Sequence, residues 1–374
     1  MTGREAEPEL DGAPEGPIGP AGAERSGSER TFWIIATLAL GAFGGWLFDL
    51  WRMPLAWMIG AMAVTTIASL SGLRLETPKG LRPVMITVLG VMLGSAFTKD
   101  TLANAGTWAW SLAAMICFIV VVAGTLAMTF HRMGWSPVTS YFAATPGGFG
   151  VMVLLAEDFG GDIRRISLVH AIRIMLTVLI IPFWFRFFEG YEPPAVTSMG
   201  SIASTGTWDL GVLLGCAVGG LFIGKLLRLP NAALLGPVLL SAIAHVSGLT
   251  SARPPGEVLA IAQVVIGVSV GCRFVGISLR EVFDVMLIAV GSTLFMILMA
   301  AGFALALQPV VGASFGALWL AYAPGGLAEM ALVSLAMGID VAFVSTHHMV
   351  RVVFMVLTAA VLFRWLDRRF GLRG

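Results

Sequence analysis

Apolar runs of about 20 residues recur along almost the whole chain, and this feature limits the fold more than any other. A run of that length is what a helix needs to cross the hydrocarbon core of a bilayer. Only 12% of the 374 residues are charged, against roughly 25% in soluble domains. A transmembrane β-barrel would instead show short segments of alternating polarity. The sequence therefore predicts an all-α polytopic membrane protein.

The remaining composition excludes several classes of function. A net charge of +1 provides no basic surface for nucleic acid, so no such partner is expected. The sequence has no phosphate-binding glycine loop, no nucleophile triad and no metal-like spacing of cysteine and histidine. We therefore expect no catalytic residue, no metal and no cofactor, and we do not expect an enzyme. Residues 1–30 are rich in Pro, Gly, Glu and Arg, which predicts a disordered cytoplasmic tail.

The chain carries one pattern twice. "FAATPGGFGVM" begins at Phe142 and "YAPGGLAEM" at Tyr322. The spacing between the prolines of these two stretches also separates "HAIR", which begins at His170, from "HMVR", which begins at His348. Upstream, the stretch 54–73 matches the stretch 230–249 with eight identities. This order of matches indicates an internal duplication.

The distribution of basic residues predicts how the two halves are threaded. The first half has apolar segments near 32–50, 54–72, 83–97, 106–130, 136–156 and 163–188. Those of the second half lie near 207–227, 230–249, 256–275, 282–307, 310–337 and 340–366. If all twelve segments cross the membrane, 13 lysine and arginine residues lie on the inside and 8 on the outside. If both Pro-Gly-Gly segments enter and leave on one side, the division is 17 to 4, a better fit to the positive-inside rule.

The second threading gives each half an odd number of crossings. We therefore predict two inverted-topology repeats, each with about five spanning helices and one broken or re-entrant Pro-Gly-Gly segment. Repeat 1 covers residues 31–190 and repeat 2 covers residues 207–368. A periplasmic linker at 191–206 joins them, and residues 369–374 form a cytoplasmic C-terminus.

The broken segments are the first candidate site. Non-helical backbone at membrane depth survives only where it is buried in protein or faces a cavity. The amides of a restarting half-helix favour an anion, whereas the alternative is a plain proline kink packed against a neighbouring helix. The predicted substrate-binding residues of the two breaks are Pro146, Gly147, Gly148, Pro324, Gly325 and Gly326.

Two arginines complete this candidate site. Arg173 and Arg351 lie about one third into the last segment of each half. An arginine at the bilayer centre costs about 2.5–3.5 kcal/mol, so it usually faces a cavity or a partner. We predict that both bind substrate. The alternative is a structural salt bridge to Asp162, Asp340 or Glu329.

Three further residues are candidates for ion or proton coupling. Glu329 has no acidic counterpart in the first half, where Val151 aligns. His170 and His348 lie three residues before the arginines, on the same helix face. The alternatives are a carboxylate neutralised by Arg351 and histidines that only hydrogen-bond between helices.

The duplicated Pro-Gly-Gly segment, the following "AEM" and the repeated His-x-x-Arg resemble the AbrB-type bacterial membrane protein family. The resemblance covers about residues 31–368, and the first half departs from it at "PGGFGVM", where the acidic residue is lost. Members are labelled regulators of gene expression or, provisionally, ammonia monooxygenases. The resemblance implies a duplicated membrane domain and carries over no catalytic residues.

Together these features favour a secondary transporter or permease for a small anionic solute. The alternative is a membrane-embedded regulator of gene expression. A membrane monooxygenase is disfavoured because the five histidines are scattered. The expected location is the bacterial inner membrane with both termini cytoplasmic. The expected partners are the lipid bilayer and the solute, and a homodimer is left open.

Overall fold

A computed structural model describes residues 27–77, 80–191, 201–229 and 231–370 of the chain. Within these ranges the regular elements are all helices. Residues 1–26 of the predicted tail, most of the 191–206 linker and residues 371–374 lie outside the described residues. Residues 27–30, assigned to the tail from sequence, already belong to the first helix, and the last helix extends to Phe370.

The described part of the chain forms fifteen α-helices. Those of the first half are α1 (Gly27–Leu50), α2 (Ala56–Leu70), α3 (Leu81–Gly94), α4 (Lys99–Asn104), α5 (Ala109–Arg132), α6 (Pro137–Ala144), α7 (Phe149–Asp158) and α8 (Ile163–Phe188). Those of the second half are α9 (Thr207–Leu226), α10 (Ala232–Ser247), α11 (Gly256–Gly271), α12 (Leu279–Val311), α13 (Phe315–Tyr322), α14 (Leu327–Ala336) and α15 (Val341–Phe370).

Seven helices among the described residues are long and apolar enough to cross a membrane: α1, α5, α8, α9, α11, α12 and α15. The prediction of about five spanning helices per half is higher than this count. The difference lies mainly in α2, α3 and α10, which have 15, 14 and 16 residues. α2 and α10 are short because left-handed residues limit them at both ends: Leu55 and Gly72 flank α2, and Asn231 and Gly248 flank α10.

Glycines bring neighbouring helices into backbone contact. A Cβ atom on Gly60 of α2 would collide with the carbonyl group of Gly44 in α1. Gly236 of α10 and Gly220 of α9 meet in the same way. Close approach of this kind is the usual means by which membrane helices associate without a hydrophobic driving force.

Helices of the two halves also pack against one another. Gly90 of α3 lies against the backbone of α10 at Leu234, and Gly267 of α11 lies against α2 at Met58. The hydroxyl of Ser241 donates to the carbonyl of Val91 at 2.7 Å, which also links α10 to α3. The core is therefore formed jointly by both halves of the chain.

Both Pro-Gly-Gly segments interrupt their helices, as predicted. α6 ends at Ala144 and α7 begins at Phe149, while α13 ends at Tyr322 and α14 begins at Leu327. The four half-helices have only eight or ten residues each. They place two short stretches of extended backbone among buried side chains.

Candidate functional site

The two breaks have closely similar backbone geometry. Gly148 caps α7 with φ −63° and ψ 126°, and Gly326 caps α14 with φ −73° and ψ 154°. Neither cap has a side chain that bonds to the first-turn amides. These φ values are open to any residue, so neither cap needs glycine for backbone freedom.

The space around each break is filled in part by a methionine. A Cβ atom on Gly147 would come within 2.9 Å of Met152, and one on Gly325 within 2.6 Å of Met330. The second glycines differ from each other. A Cβ on Gly326 would collide with a carboxylate, whereas the nearest atom to a Cβ on Gly148 would be 3.9 Å away.

Arg351 of α15 holds the second break in place. Its Nη1 donates to the carbonyl of Ala323 at 2.6 Å, and its Nη2 donates to the carbonyl of Gly325 at 2.6 Å. These carbonyls lie on either side of Pro324, where the helix has no amide to satisfy them. The guanidinium therefore replaces lost helical hydrogen bonds with charge-assisted ones.

His348 fixes the orientation of this arginine. Its Nε2 lies 2.8 Å from the carbonyl oxygen of Leu320, and its Nδ1 lies 2.8 Å from Nη2 of Arg351. A carbonyl oxygen only accepts, so Nε2 carries the hydrogen and Nδ1 accepts from the guanidinium. Both ring nitrogens of a neutral imidazole are thus occupied, which favours a positioning role over the proton-carrying role considered from sequence.

Arg173 of α8 is held much more loosely at the first break. Its Nη1 donates to the carbonyl of Thr145 at 3.4 Å and approaches the Met296 sulfur at 4.0 Å. Its Nε has no hydrogen-bond partner within the described part of the chain, which is equally true of the Nε of Arg351. The side chain is nevertheless only 2% exposed. Arg351 uses both of its Nη groups in short hydrogen bonds, whereas the described bonds of Arg173 are long and come from Nη1 alone.

His170, the histidine of the first half, is also held by fewer contacts than its counterpart His348. Nδ1 of His170 lies 2.9 Å from the carbonyl oxygen of Ile166 in its own helix, and its Nε2 makes no hydrogen bond of normal geometry among the described residues, although the ring lies near the backbone of Thr145. Its ring packs edge-on against Phe149. His170 therefore does not orient Arg173 as His348 orients Arg351.

The predicted aspartate partners do not neutralise either arginine. Asp162 accepts the backbone amide of Arg165, and Asp340 accepts that of Phe343, so both are N-caps of their helices. Arg173 and Arg351 are close enough for their positive charges to act on each other. The salt-bridge alternative of the sequence analysis is therefore wrong for these two carboxylates.

Glu329 lies directly beside the second break. Its carboxylate rests against Gly326 and the side chain is 4% exposed. It makes no ion pair within 4 Å among the described residues. The alternative in which Arg351 neutralises Glu329 is thus not what the structure contains.

Sequence reasoning missed one cation at the site. Arg273, in a short 3-10 helix after α11, places its guanidinium 4.1 Å from the ring centroid of Phe149. It also lies within electrostatic reach of Glu329. Arg273 is one of the 17 basic residues that the predicted threading places inside. A signal existed, because "GCRF" at 271–274 matches "GSAF" at 94–97 and places Arg273 opposite Ala96.

Two further observations bound the chemistry. His347 bonds to the hydroxyl of Ser111 at 2.7 Å, and the Tyr322 hydroxyl donates to the Ser111 carbonyl, which ties the second break to α5. Within the described ranges, no three His, Cys, Asp or Glu side chains gather as a metal site. The arrangement offers buried cationic donors and first-turn amides without a side-chain cap, which are groups that bind anions.

Comparison with known proteins gives one family and two curated relatives. The family model for AbrB, described as transition state regulatory protein AbrB, matches residues 57–367. The chain is 24% identical over 365 residues to "Uncharacterized protein YhjN" of Bacillus subtilis (strain 168), covering 91% of this chain and 94% of that protein. It is 26% identical over 323 residues to "Putative regulator AbrB" of Escherichia coli (strain K12), covering 84% and 91%.

Proposed function

We propose that this chain, which belongs to the AbrB family, is a secondary transporter or permease for a small anionic solute. The observation that carries the proposal is Arg173. It is a buried guanidinium whose hydrogen bonds are one long contact to the Thr145 carbonyl and one to the Met296 sulfur, beside a helix break whose amides lack a side-chain cap. A buried charge with so few partners is costly and marks a functional site by default.

The electrostatics of the centre support an anionic solute. Two arginines and the N-termini of two half-helices contribute positive potential, and Arg173 and Arg351 repel each other. A bound carboxylate, phosphate or sulfate group would lower this repulsion and accept the donors of Arg173. Arginine suits such groups because its planar donors match their oxygens in pairs.

The equivalence of the two halves supports a transporter. The glycine contacts between α1 and α2 recur between α9 and α10, and the break at Pro146 recurs at Pro324. We propose that the halves are inverted repeats in the bacterial inner membrane with both termini cytoplasmic. Such repeats, with broken helices at the centre, are a common architecture of secondary transporters.

A regulatory function is the second candidate. The description of the family model and the name of the Escherichia coli relative both refer to regulation. Deletion of this gene with complementation by an Arg173→Lys chain separates the two. If the deletion alters transcription and the variant chain returns it to normal, regulation is favoured. If the deletion reduces solute flux and the variant chain does not return it to normal, transport is favoured.

A binding assay tests the transporter proposal directly. The full chain is purified in detergent, and its unfolding temperature is followed with acetate, succinate, sulfate and, as a cationic comparison, choline. We expect at least one anion and not choline to stabilise the chain by ligand linkage. The Arg173→Lys chain should lose this stabilisation. The control variant Arg132→Lys, at an exposed position, should keep it. Equal stabilisation of all three chains, or stabilisation by choline alone, refutes an anion site at Arg173.

A further inference from the structure

The two breaks are built alike except at one pair of positions. Each half-helix that follows a break starts after a glycine of similar φ, and a methionine packs against the first glycine of each break. The third residue of the half-helix differs, because it is Val151 in α7 and Glu329 in α14. At this position the halves therefore differ by one carboxylate, while the backbone around it is the same.

The carboxylate of Glu329 lies at the N-terminus of α14. It rests against Gly326, the residue that caps this half-helix, and the side chain is 4% exposed. Negative charge is favoured at this end of a helix, because the helix dipole and the first-turn amides give it positive potential. The second break thus contains an anionic group that belongs to the chain itself.

The equivalent place at the first break is open. A Cβ atom on Gly148 would meet no atom closer than 3.9 Å, and that atom belongs to Val352 of α15. This place therefore borders a helix of the other half. The surrounding residues are also more accessible than those of the second break: Gly147, Phe149 and Val151 are half-buried, whereas their counterparts Gly325, Leu327 and Glu329 are buried.

A buried cation lies at the same break. Nη1 of Arg173 is 3.4 Å from the carbonyl oxygen of Thr145, which caps the end of α6. The Nε of Arg173 has no hydrogen-bond partner among the described residues, and the side chain is 2% exposed. The first break thus combines a helix N-terminus, a buried guanidinium and open space beside Gly148. It lacks the acidic group that the second break has.

We propose that the first break binds the carboxylate of an aliphatic carboxylic acid, in the place that the carboxylate of Glu329 takes at the second break. The inference rests on the transporter function proposed above and narrows the anion to one chemical class. Gly148 leaves room for the group, and Arg173 supplies its cation. Valine ends one carbon before the carboxyl carbon of glutamate, so the carbon chain of the solute continues beside Val151.

The shape of the group favours a carboxylate over sulfate or phosphate. The second break accommodates a planar group with two oxygens beside a glycine of the same backbone geometry. The planar donors of an arginine match two such oxygens in pairs. A tetrahedral anion has further oxygens, for which the second break shows no equivalent place.

The test measures anion affinity in the purified full chain. Acetate, propionate, succinate and sulfate are titrated at neutral pH and constant ionic strength, and the affinity is obtained from the rise in unfolding temperature. We expect at least one carboxylate to bind about tenfold more tightly than sulfate, or better.

Val151→Glu places a carboxylate at the first break within the chain itself. This group should compete with the solute and weaken carboxylate binding by about tenfold or more. The matched control is Leu154→Glu, which adds the same charge to an exposed position of α7 and should keep the affinity of the unchanged chain.

Gly148→Ala tests the same place without a new charge. Its Cβ meets no atom closer than 3.9 Å, so the chain should fold, but the methyl group crowds the carboxylate and should weaken its binding by about fivefold or more. Gly215→Ala, also in open space, is the control. If Val151→Glu is not recovered folded, this pair of variants carries the test.

The outcomes separate the two proposals. Unchanged carboxylate affinity in Val151→Glu or in Gly148→Ala overturns the carboxylate site, and so does tighter binding of sulfate than of every carboxylate. The transporter proposal stands in these cases if Arg173→Lys still removes the stabilisation by anions. If no anion stabilises the unchanged chain, the transporter proposal fails and the carboxylate site fails with it.

Discussion

Lysine substitutions at the two repeat-equivalent arginines should have opposite consequences. Arg351 makes two hydrogen bonds of 2.6 Å to carbonyls of the break and one of 2.8 Å to His348. Arg173 makes a single bond of 3.4 Å to a carbonyl. We therefore expect Arg351→Lys to reduce stability strongly, and Arg173→Lys to leave stability nearly unchanged while it abolishes anion binding.

The size of the effect follows from the number of bonds that are lost. A lysine ammonium at position 351 can reach one of the two carbonyls but cannot bridge both and also meet His348. Two of the three bonds are lost, and a bond to a charged group contributes about 1.5–3 kcal/mol, so the loss is about 3–6 kcal/mol. At position 173 only one bond beyond usual length is at stake, and the expected loss is below about 1.5 kcal/mol.

Thermal unfolding in detergent measures this difference. Cys216 and Cys272 are buried and carry free thiols, so a thiol-reactive fluorescent dye reports their exposure as the chain unfolds. Cys117 is exposed in the folded chain, and its replacement by serine removes the background signal. Similar losses of stability in the two variants, or a larger loss for Arg173→Lys, would show that the assignment of a structural role to Arg351 and a binding role to Arg173 is mistaken.

Three further predictions concern the breaks, the helix contacts and the threading. Gly326→Ala should lower the unfolding temperature while Gly148→Ala does not, because only the first forces a buried carboxylate to move; equal losses would contradict this. Gly60→Ala should lower stability by about 1–3 kcal/mol through overpacking, whereas Gly215→Ala, with nothing within 4 Å of the new Cβ, should not, and dye-monitored unfolding compares the two. A cysteine at Ser198 should react with a membrane-impermeant maleimide from the periplasmic side, and labelling only from the cytoplasm would refute the inverted threading.

The order of helices and the position of both breaks could be predicted from the sequence. The apolar segments are long and the breaks contain proline, so local chemistry alone ends α6 and α13. The helix at residues 136–156 is interrupted where Pro146 removes a backbone donor. These features depend on residues close together in the chain, which is why single-sequence reasoning finds them.

The division of roles between equivalent residues could not be predicted in this way. Arg173 and Arg351 occupy matching positions in matching sequence patterns, yet they differ in the number of carbonyls within reach. Arg273 follows an apolar helix as a basic loop residue would, and only the packing of α11 turns it toward Phe149. Such differences arise from contacts between distant segments, which the local pattern does not contain.

Under the proposed threading, the short helices α2, α3 and α10 also determine how an electrical potential acts on this protein. With 14–16 residues they extend about 21–24 Å, against about 30 Å of hydrocarbon in an ordinary bilayer. Either the lipid thins around these helices or water enters at their ends. In both cases the water-free layer is thinner there, so the same membrane voltage produces a steeper electric field.

Each elementary charge that crosses the full potential exchanges about 2.3 kcal/mol per 100 mV. A monovalent anion that crosses alone is therefore sensitive to voltage, whereas the same anion accompanied by one proton moves no net charge. The dependence of solute flux on an imposed membrane potential therefore shows how many protons accompany each anion. This measurement needs no substitution in the chain.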